Sequence, residues 1–264
     1  MKLRNIGNTF LDGDVSKFRD RKVKAKNIFE IRVVDKVTAY DFVKKYHYLK
    51  DAKFFCVYAC GLFHKRTNTL VGVATYSNPQ GIVALKGWFG ETNQNKDIME
   101  LSRLCMLPPL NKTNATSYLL GNSMKIIHRE FGVRAVITLA DSIRHVGSIY
   151  QVCNFKYYGL TDSKSDFCMV GYKPNARVGT TKDKHGVWIP RSRKHRYAYI
   201  MDSTLEVLYD EQPRPSIEDT LLLECCGGTK RVYDKRFNEW YTCPRCCEEF
   251  KKIEPKKIKL RKRL

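Results

Sequence analysis

Apolar positions along this chain change period segment by segment, and the changes predict alternating strands and helices. From Ile28 the run IFEIRVV has the β-branched, apolar character of a strand. TAYDFVKKYHYL, which follows, spaces Tyr40, Val43 and the Tyr46 to Tyr48 cluster along a helix, with Thr38 as its expected cap and an end near Lys50. FFCVYACGLF and TLVGVATYS flank the polar stretch His64 to Asn68 and predict a β-hairpin. NPQGIVALKGWFGETNQNK is read as a loop, and IMELSRLCML as a strand stopped by Pro108 and Pro109. NKTNATSYLLGNSMKIIHREFG predicts a helix capped by Asn114, Thr116 or Ser117 and ended at Gly132. RAVITLAD then reads as a buried strand, HVGSIYQVCN as a short helix and FKYYGLTD as a further strand. The order β-α-β-β-β-α-β-α-β predicts an α/β fold: a mixed central sheet with helices on its faces, where ligands favour the carboxyl ends of strands that splay apart.

At 264 residues the chain exceeds one ordinary domain without reaching two. The expected divisions are a basic arm over 1–27, a main domain over 28–210, a Cys-rich module over 211–250 and a basic tail over 251–264. Hydrophobic residues at 43% and aromatics at 12% exclude a mostly disordered protein. Charge changes the picture more. Lys and Arg number 48 against 27 Asp and Glu, a formal +21, and such a chain seeks a polyanion, of which nucleic acid is the commonest. Phosphate contacts are expected from Arg191, Arg193, Lys194 and Arg196 in the basic segment that runs from Lys173 to about residue 202, and from Lys230 and Arg231 further on. No stretch reads as a basic amphipathic helix, no apolar run reaches spanning length, and MKLRNIGNTFLDGD has no apolar core of a signal peptide. The expectation is a protein that stays in the cell that makes it, with no membrane partner.

Ten cysteines divide into two groups. Cys56, Cys60, Cys105, Cys153 and Cys168 lie in apolar stretches and are expected in the core as small hydrophobes. The other five cluster near the C-terminus, where Cys243-Pro-Arg-Cys246 is a metal knuckle and Cys225 or Cys226 lies far enough upstream to close a ribbon. Four thiolates suit a tetrahedral, structural zinc. The first half is Cys-Cys-Gly-Gly, so the set stays open among Cys225, Cys226 and Cys247. The stretch KRVYDKRFNEW is expected to form a basic hairpin on this zinc ribbon, and KKIEPKKIKLRKRL a phosphate clamp.

Three further features carry candidate chemistry. The first turn of the helix after Pro109, with Asn114, Thr116 and Ser117, is either an anion site for a cofactor pyrophosphate or an ordinary helix cap. Arg103 stands among apolar neighbours on a central strand, where a guanidinium demands an anionic or carbonyl partner. LADSIRHVGSIYQVCNFKYYG places Asp141 at a strand end and Tyr150 on the following short helix.

That last arrangement, strand, loop, Tyr-bearing helix and then x-F-x-x-x-G, is similar to the second half of GNAT-type acyltransferases, although their glycine-rich pyrophosphate loop is absent. YHYLK (46–50), GVATYSNP (72–79), ELSRLCMLPPLNKTNATSYLLGNSMK (100–125), LADSIRHVGSIYQVCNFKYYGLT (139–161) and RKHRYAY (193–199) together resemble the phage Mom DNA-modification family over roughly residues 28 to 200. The resemblance implies a GNAT-like catalytic domain over 28–210 that binds acetyl-CoA or a related acyl donor in the splay between two central strands. It implies conversion of the exocyclic N6 of adenine in double-stranded DNA to a carbamoylmethyl derivative, in the cytoplasm of an infected bacterial host, as protection from restriction. By residue it points to His47, Tyr48, Arg103, Ser117, Asp141 and Tyr150. A weakly nucleophilic aromatic amine needs a base, which Asp141 or His47 supplies, while Tyr150 protonates a leaving thiolate. A base turned out of the duplex would stack on Tyr48, Trp88 or Phe89. The rival expectations are an acyl-CoA-dependent N-acetyltransferase acting on protein or tRNA, and a non-catalytic DNA-binding protein on the same scaffold.

Overall fold

The structure, a computed structural model, describes residues 24–49, 54–79, 82–90, 97–111, 113–142, 145–162, 164–169, 186–216, 221–225, 228–232 and 251–253. Over the main domain these elements are a helical turn α1 (Ala25–Ile28), β1 (Phe29–Val33), α2 (Lys36–Tyr46), β2 (Tyr58–His64), β3 (Thr69–Ser77), α3 (Ile82–Phe89), β4 (Ile98–Met106), α4 (Asn114–Phe131), β5 (Ala135–Asp141), α5 (Ser148–Val152) and β6 (Lys156–Leu160). Then come β7 (Lys164–Met169), β8 (Gly186–Arg191), β9 (Lys194–Ile200), β10 (Leu221–Cys225), β11 (Gly228–Val232) and β12 (Lys251–Ile253). This is a mixed α/β fold in which a seven-stranded sheet runs in the order β1-β2-β3-β4-β5-β9-β6.

Three sequence expectations need correcting. The stretch read as a loop after Ser77 contains α3, a helix too short for its apolar positions to declare a period. The basic segment to residue 202 forms β8 and β9. Lys and Arg crowd the residues around and between these short strands, so charge masked the apolar runs of GVWIPR and RYAYI. β10 pairs with β11, Leu221 opposite Val232 and Cys225 opposite Gly228; the expected hairpin KRVYDKRFNEW lies, beyond Val232, outside the described residues. Helix caps also differ. Asp35, not Thr38, caps α2, and Thr113 caps α4 ahead of Asn114, Thr116 and Ser117. The end of α4 follows the expectation, with Gly132 in the left-handed region at φ 68°.

Contacts group the chain into two compact units, residues 1–138, 149–156 and 197–210 in one and 139–148, 157–196 and 211–264 in the other. In the first, β1 to β4 form an antiparallel meander, and β4 then pairs with β5 in parallel. α2 packs on β2, β3 and β4, and α4 on β1, β2 and β3. The buried stripe of α4 is Ala115, Leu119, Leu120, Ser123, Met124 and Ile127, a helical spacing that faces β1, β2 and β3. Tyr76 is fully buried yet satisfied, its hydroxyl 2.5 Å from that of Ser123. Cys60, Cys105 and Cys153 are buried as expected, and desolvation pushes the first two thiols up to about 12 and the third to about 11, so all stay neutral. Cys56 is half-buried.

The C-terminal end of this unit is tied down by Arg134, whose Nε donates to Asp202 at 2.6 Å, while the Thr204 amide donates to the same carboxylate at 2.9 Å. The bonds to Thr204 and then to Arg134 hold Asp202 at about 2, below its ordinary 3.8. A depressed carboxylate contributes stability above its unfolded value and loses it as pH falls through the folded one. We expect Asp202→Asn to lower the thermal midpoint at pH 7, with the gap to wild type closing as pH falls from about 4 toward 2. Thermal unfolding at stepped pH checks this, and a gap that stays constant would overturn it.

In the second unit, β7 and β8 form a hairpin and β10 lies between β11 and β12. Tyr157 and His195, both buried, share a hydrogen bond at 2.9 Å. The arm up to residue 23, the tail beyond 253 and Cys226, Cys243, Cys246 and Cys247 lie outside the described residues.

Candidate functional site

The site begins where α2 stops. Asp35 accepts the Thr38 amide at 2.8 Å and its hydroxyl at 2.6 Å, which starts the helix. At the other end the His47 amide donates to the Val43 carbonyl, and His47 then turns to extended backbone at φ −77°, ψ 145°. His47 and Tyr48 therefore stand just past the helix, not on it as expected. The Leu49 amide donates to His47 Nδ1 at 3.1 Å, fixing the imidazole beneath the turn, where it is 8% exposed. With Nδ1 accepting, neutral His47 carries its proton on Nε2. The Tyr48 ring lies on this imidazole, centroids 4.3 Å apart and planes 28° apart, and is 59% exposed.

β4 supplies the charge. Its register against β3 runs Thr75 opposite Arg103 and then Tyr76 opposite Leu101, so Ser102 is an extra residue, a β-bulge. The parallel ladder to β5 covers only Ile98, Met99 and Glu100 and ends just before that bulge, although both strands continue. Ser102's carbonyl is released from the ladder, and Arg103 Nη1 donates to it at 2.7 Å. The Ser102 hydroxyl donates to Ser77 at 2.6 Å. Arg103 is half-buried with its guanidinium 5.1 Å from the centre of the Phe54 ring, which stacks on Tyr40 at 4.3 Å. Its Nε is buried with no hydrogen-bond partner. Desolvation pulls the guanidinium below its ordinary value, while Tyr48, Glu100 and Tyr40 act in the opposite direction.

Tyr150 joins the same unit from α5. Its ring packs against Phe155 and Tyr197, and its hydroxyl bonds Thr138, whose own hydroxyl donates to the Leu101 carbonyl at 3.5 Å. Burial pushes this phenol up, against the Thr138 hydrogen bond, and Tyr48 adds to the rise. Tyr48 is thus within electrostatic reach of both Arg103 and Tyr150. Their grouping brings together His47, Tyr48, Arg103 and Tyr150.

The first turn of α4 is arranged differently from a side-chain anion cradle. Thr113 accepts the Ala115 amide at 3.3 Å, the Thr116 hydroxyl donates to the Leu110 carbonyl at 3.5 Å, and the Ser117 hydroxyl to the Asn114 carbonyl at 3.0 Å. Thr113 is the cap, and the hydroxyls of Thr116 and Ser117 bond backbone carbonyls. Trp88 and Phe89 are only 4% and 3% exposed, and Trp88 meets the Tyr209 ring edge-on at 5.0 Å. They are core side chains and offer no stacking face.

Asp141 belongs to the other unit, where Lys194 Nζ lies 2.9 Å from its carboxylate. Neighbouring basic residues are also engaged: Arg193 Nε donates to the Thr161 carbonyl at 2.7 Å and Arg196 Nη1 to the Leu160 carbonyl at 2.8 Å. Arg191 ends β8, and Lys230 and Arg231 lie on β11. Sequence reasoning found Arg103 but missed the Ser102 bulge, the Phe54 and Tyr40 rings beside it, and Lys194 as the partner of Asp141. The bulge carries no glycine to announce it, and the pair joins residues 53 positions apart. Among the described residues no group of three or more metal-ligating side chains occurs, and no helix is long and apolar enough to cross a membrane.

Comparison with known proteins gives one family, the Mom protein family, which matches residues 28–216. No curated protein matches. Among solved structures, an N-acetyltransferase from Staphylococcus aureus Mu50 is similar at 12% identity and a TM-score of 0.40, covering 66% of this chain and 99% of that one. The ribosomal-protein-S18-alanine N-acetyltransferase from Escherichia coli is similar at 11% identity and a TM-score of 0.41, covering 69% and 100%. yncA from Salmonella typhimurium, solved with its cofactor acetyl-CoA, is similar at 10% identity and a TM-score of 0.40, covering 71% and 98%.

Proposed function

Because the chain belongs to the Mom protein family, we propose that it is a transferase that converts the exocyclic N6 of adenine in double-stranded DNA to a carbamoylmethyl derivative, shielding phage DNA from restriction in the host cytoplasm. The observation that carries this reading is the grouping of Arg103, Tyr48, His47 and Tyr150 in one unit, beside the point where the β4 bulge ends the parallel ladder. A formal +21 supports a nucleic-acid substrate.

Roles follow from the hydrogen bonds. His47 gives its accepting nitrogen to the Leu49 amide, so taking a proton there would break that bond. We propose Asp141 as a base from its residue type, its carboxylate held 2.9 Å from Lys194 Nζ. Tyr150, raised by burial, stays a neutral phenol. Thr138 gives its own proton to the Leu101 carbonyl, so the Tyr150 hydroxyl donates to Thr138, and its role is to position that contact in the site. An acyl-coenzyme A donor fits the residues at one place: the orphaned Nε of Arg103 lacks an acceptor oxygen, which a carbonyl or phosphate provides. Such a donor, when bound, would supply an activated acyl group, whose transfer to N6 with loss of the thiol forms an amide; the carbamoylmethyl product requires in addition an N6–CH2 bond and an amide nitrogen from a nitrogen-bearing co-reactant. The zinc ribbon is part of the same proposal, with thiolates drawn from Cys225, Cys226, Cys243, Cys246 and Cys247; Cys225 closes β10 at the mouth of its hairpin with β11.

Mass spectrometry of nucleosides from plasmid DNA tests this after expression of wild type and Asp141→Ala in bacteria. A shifted deoxyadenosine in the first and none in the second is expected. Unmodified DNA beside soluble wild-type protein overturns the reading, in favour of another acceptor or a binding protein.

A further inference from the structure

We propose that Tyr48 is a stacking platform for an unpaired purine base of DNA, and that its phenol oxygen takes no part in bond making. The inference deepens the function proposed above and rests on it. Three observations carry it. Tyr48 is 59% exposed, an unusual position for a ring of that size, and it shares its unit with Phe55 at 67% and Tyr40 at 41%. One face of the ring is backed by His47, which is itself buried and pinned through Nδ1 to the Leu49 amide. A ring backed in this way is ordered before any ligand arrives, so little rotamer freedom remains to be lost on binding. Trp88 and Phe89, the other large rings the sequence offered, are buried in the core and leave Tyr48 as the exposed one of the three.

Tyr48 is also close enough to Arg103 and Tyr150 to alter both electrostatically. A base laid on Tyr48 therefore lies in the same unit as a guanidinium whose Nε lacks an acceptor and as a neutral phenol. Purines present ring nitrogens and a broad π-face to such a surface, and base stacking on an aromatic side chain depends on the ring rather than on its substituents. A platform acts through its ring, so phenylalanine at this position should hold the base as tyrosine does, whereas recognition through the hydroxyl would be lost with it.

The test uses the full chain and short single-stranded oligonucleotides that carry one central adenine flanked by abasic sites, compared with a wholly abasic strand, by fluorescence anisotropy. Wild type is expected to prefer the adenine strand. Tyr48→Leu should lose that preference, a weakening of about ten- to a hundredfold, while Tyr48→Phe and Tyr48→Trp retain it. Tyr48→Leu that keeps its preference for adenine, or Tyr48→Phe that loses it, overturns the platform and leaves the enzyme reading standing. Wild type that shows no preference for a base and leaves plasmid DNA unmodified overturns the enzyme reading itself. Since Tyr48 is exposed, the thermal midpoint of each variant should stay close to wild type, and the Phe and Trp variants decide the matter even where Leu fails to fold.

Discussion

Arg103→Met is expected to reduce DNA modification by about 10²- to 10³-fold, the loss typical of removing one preorganised charge-stabilising donor, roughly 2.7–4 kcal/mol. The same change should leave the thermal midpoint nearly untouched or raise it. Arg103 holds its place in the fold at the cost of a buried Nε that has no partner and a desolvated guanidinium; methionine fills similar volume against Phe54 and removes the orphaned atom. Arg103→Lys should recover little activity. Lysine ends in a single point of charge and cannot hold the Ser102 carbonyl at 2.7 Å while presenting a second, fixed donor elsewhere. Nucleoside mass spectrometry over a time course, with thermal unfolding of the same preparations, separates the possibilities. Retained activity with a lowered midpoint would make Arg103 a structural clamp on the bulge and remove it from the site.

Arg103 also shows how far a single sequence reaches. Its residue type and apolar neighbours were sufficient to single it out, because a guanidinium inside a strand needs a reason. What it bonds to was not legible. Its partner is the carbonyl of the preceding residue, released by a bulge that depends on the pairing of β3 with β4, and pairing is a property of two segments at once. The same division runs through the rest. Helix α4 could be read to its final glycine from its own period, yet its cap was displaced to Thr113, because Asn, Thr and Ser crowd the stretch and each is a competent cap. Strands β2 to β5 were legible from β-branched apolar runs, whereas β8 and β9 are short apolar runs set in a basic segment whose charge invited a phosphate-binding interpretation. His47 and Tyr48 were identified by resemblance. That one is a buried, pinned backing and the other an exposed ring follows only from the turn made by the Leu49 amide.

Binding to duplex DNA is expected to weaken about 10³- to 10⁵-fold between 50 and 200 mM salt, the dependence of a protein that makes roughly six to ten phosphate contacts. The excess of 48 basic over 27 acidic side chains is far more than folding or solubility requires, and a polyanion is the partner that would use it. Individual residues should not contribute equally. Lys194 lies 2.9 Å from Asp141, so its charge is largely compensated before DNA arrives. Arg193 commits one donor, Nε, to the Thr161 carbonyl, a neutral partner that leaves its full charge in place. Arg193→Gln should therefore lower the slope of log K against log salt by about 0.9, one phosphate's worth of released counterions, while Lys194→Gln lowers it by clearly less. Anisotropy titrations of one duplex at several salt concentrations give the slopes for wild type and both variants. A wild-type slope near zero would mean that the charge serves some partner other than a polyanion. Equal losses from the two variants would mean that Lys194 leaves Asp141 when DNA binds, freeing the carboxylate at the moment its proposed substrate is present.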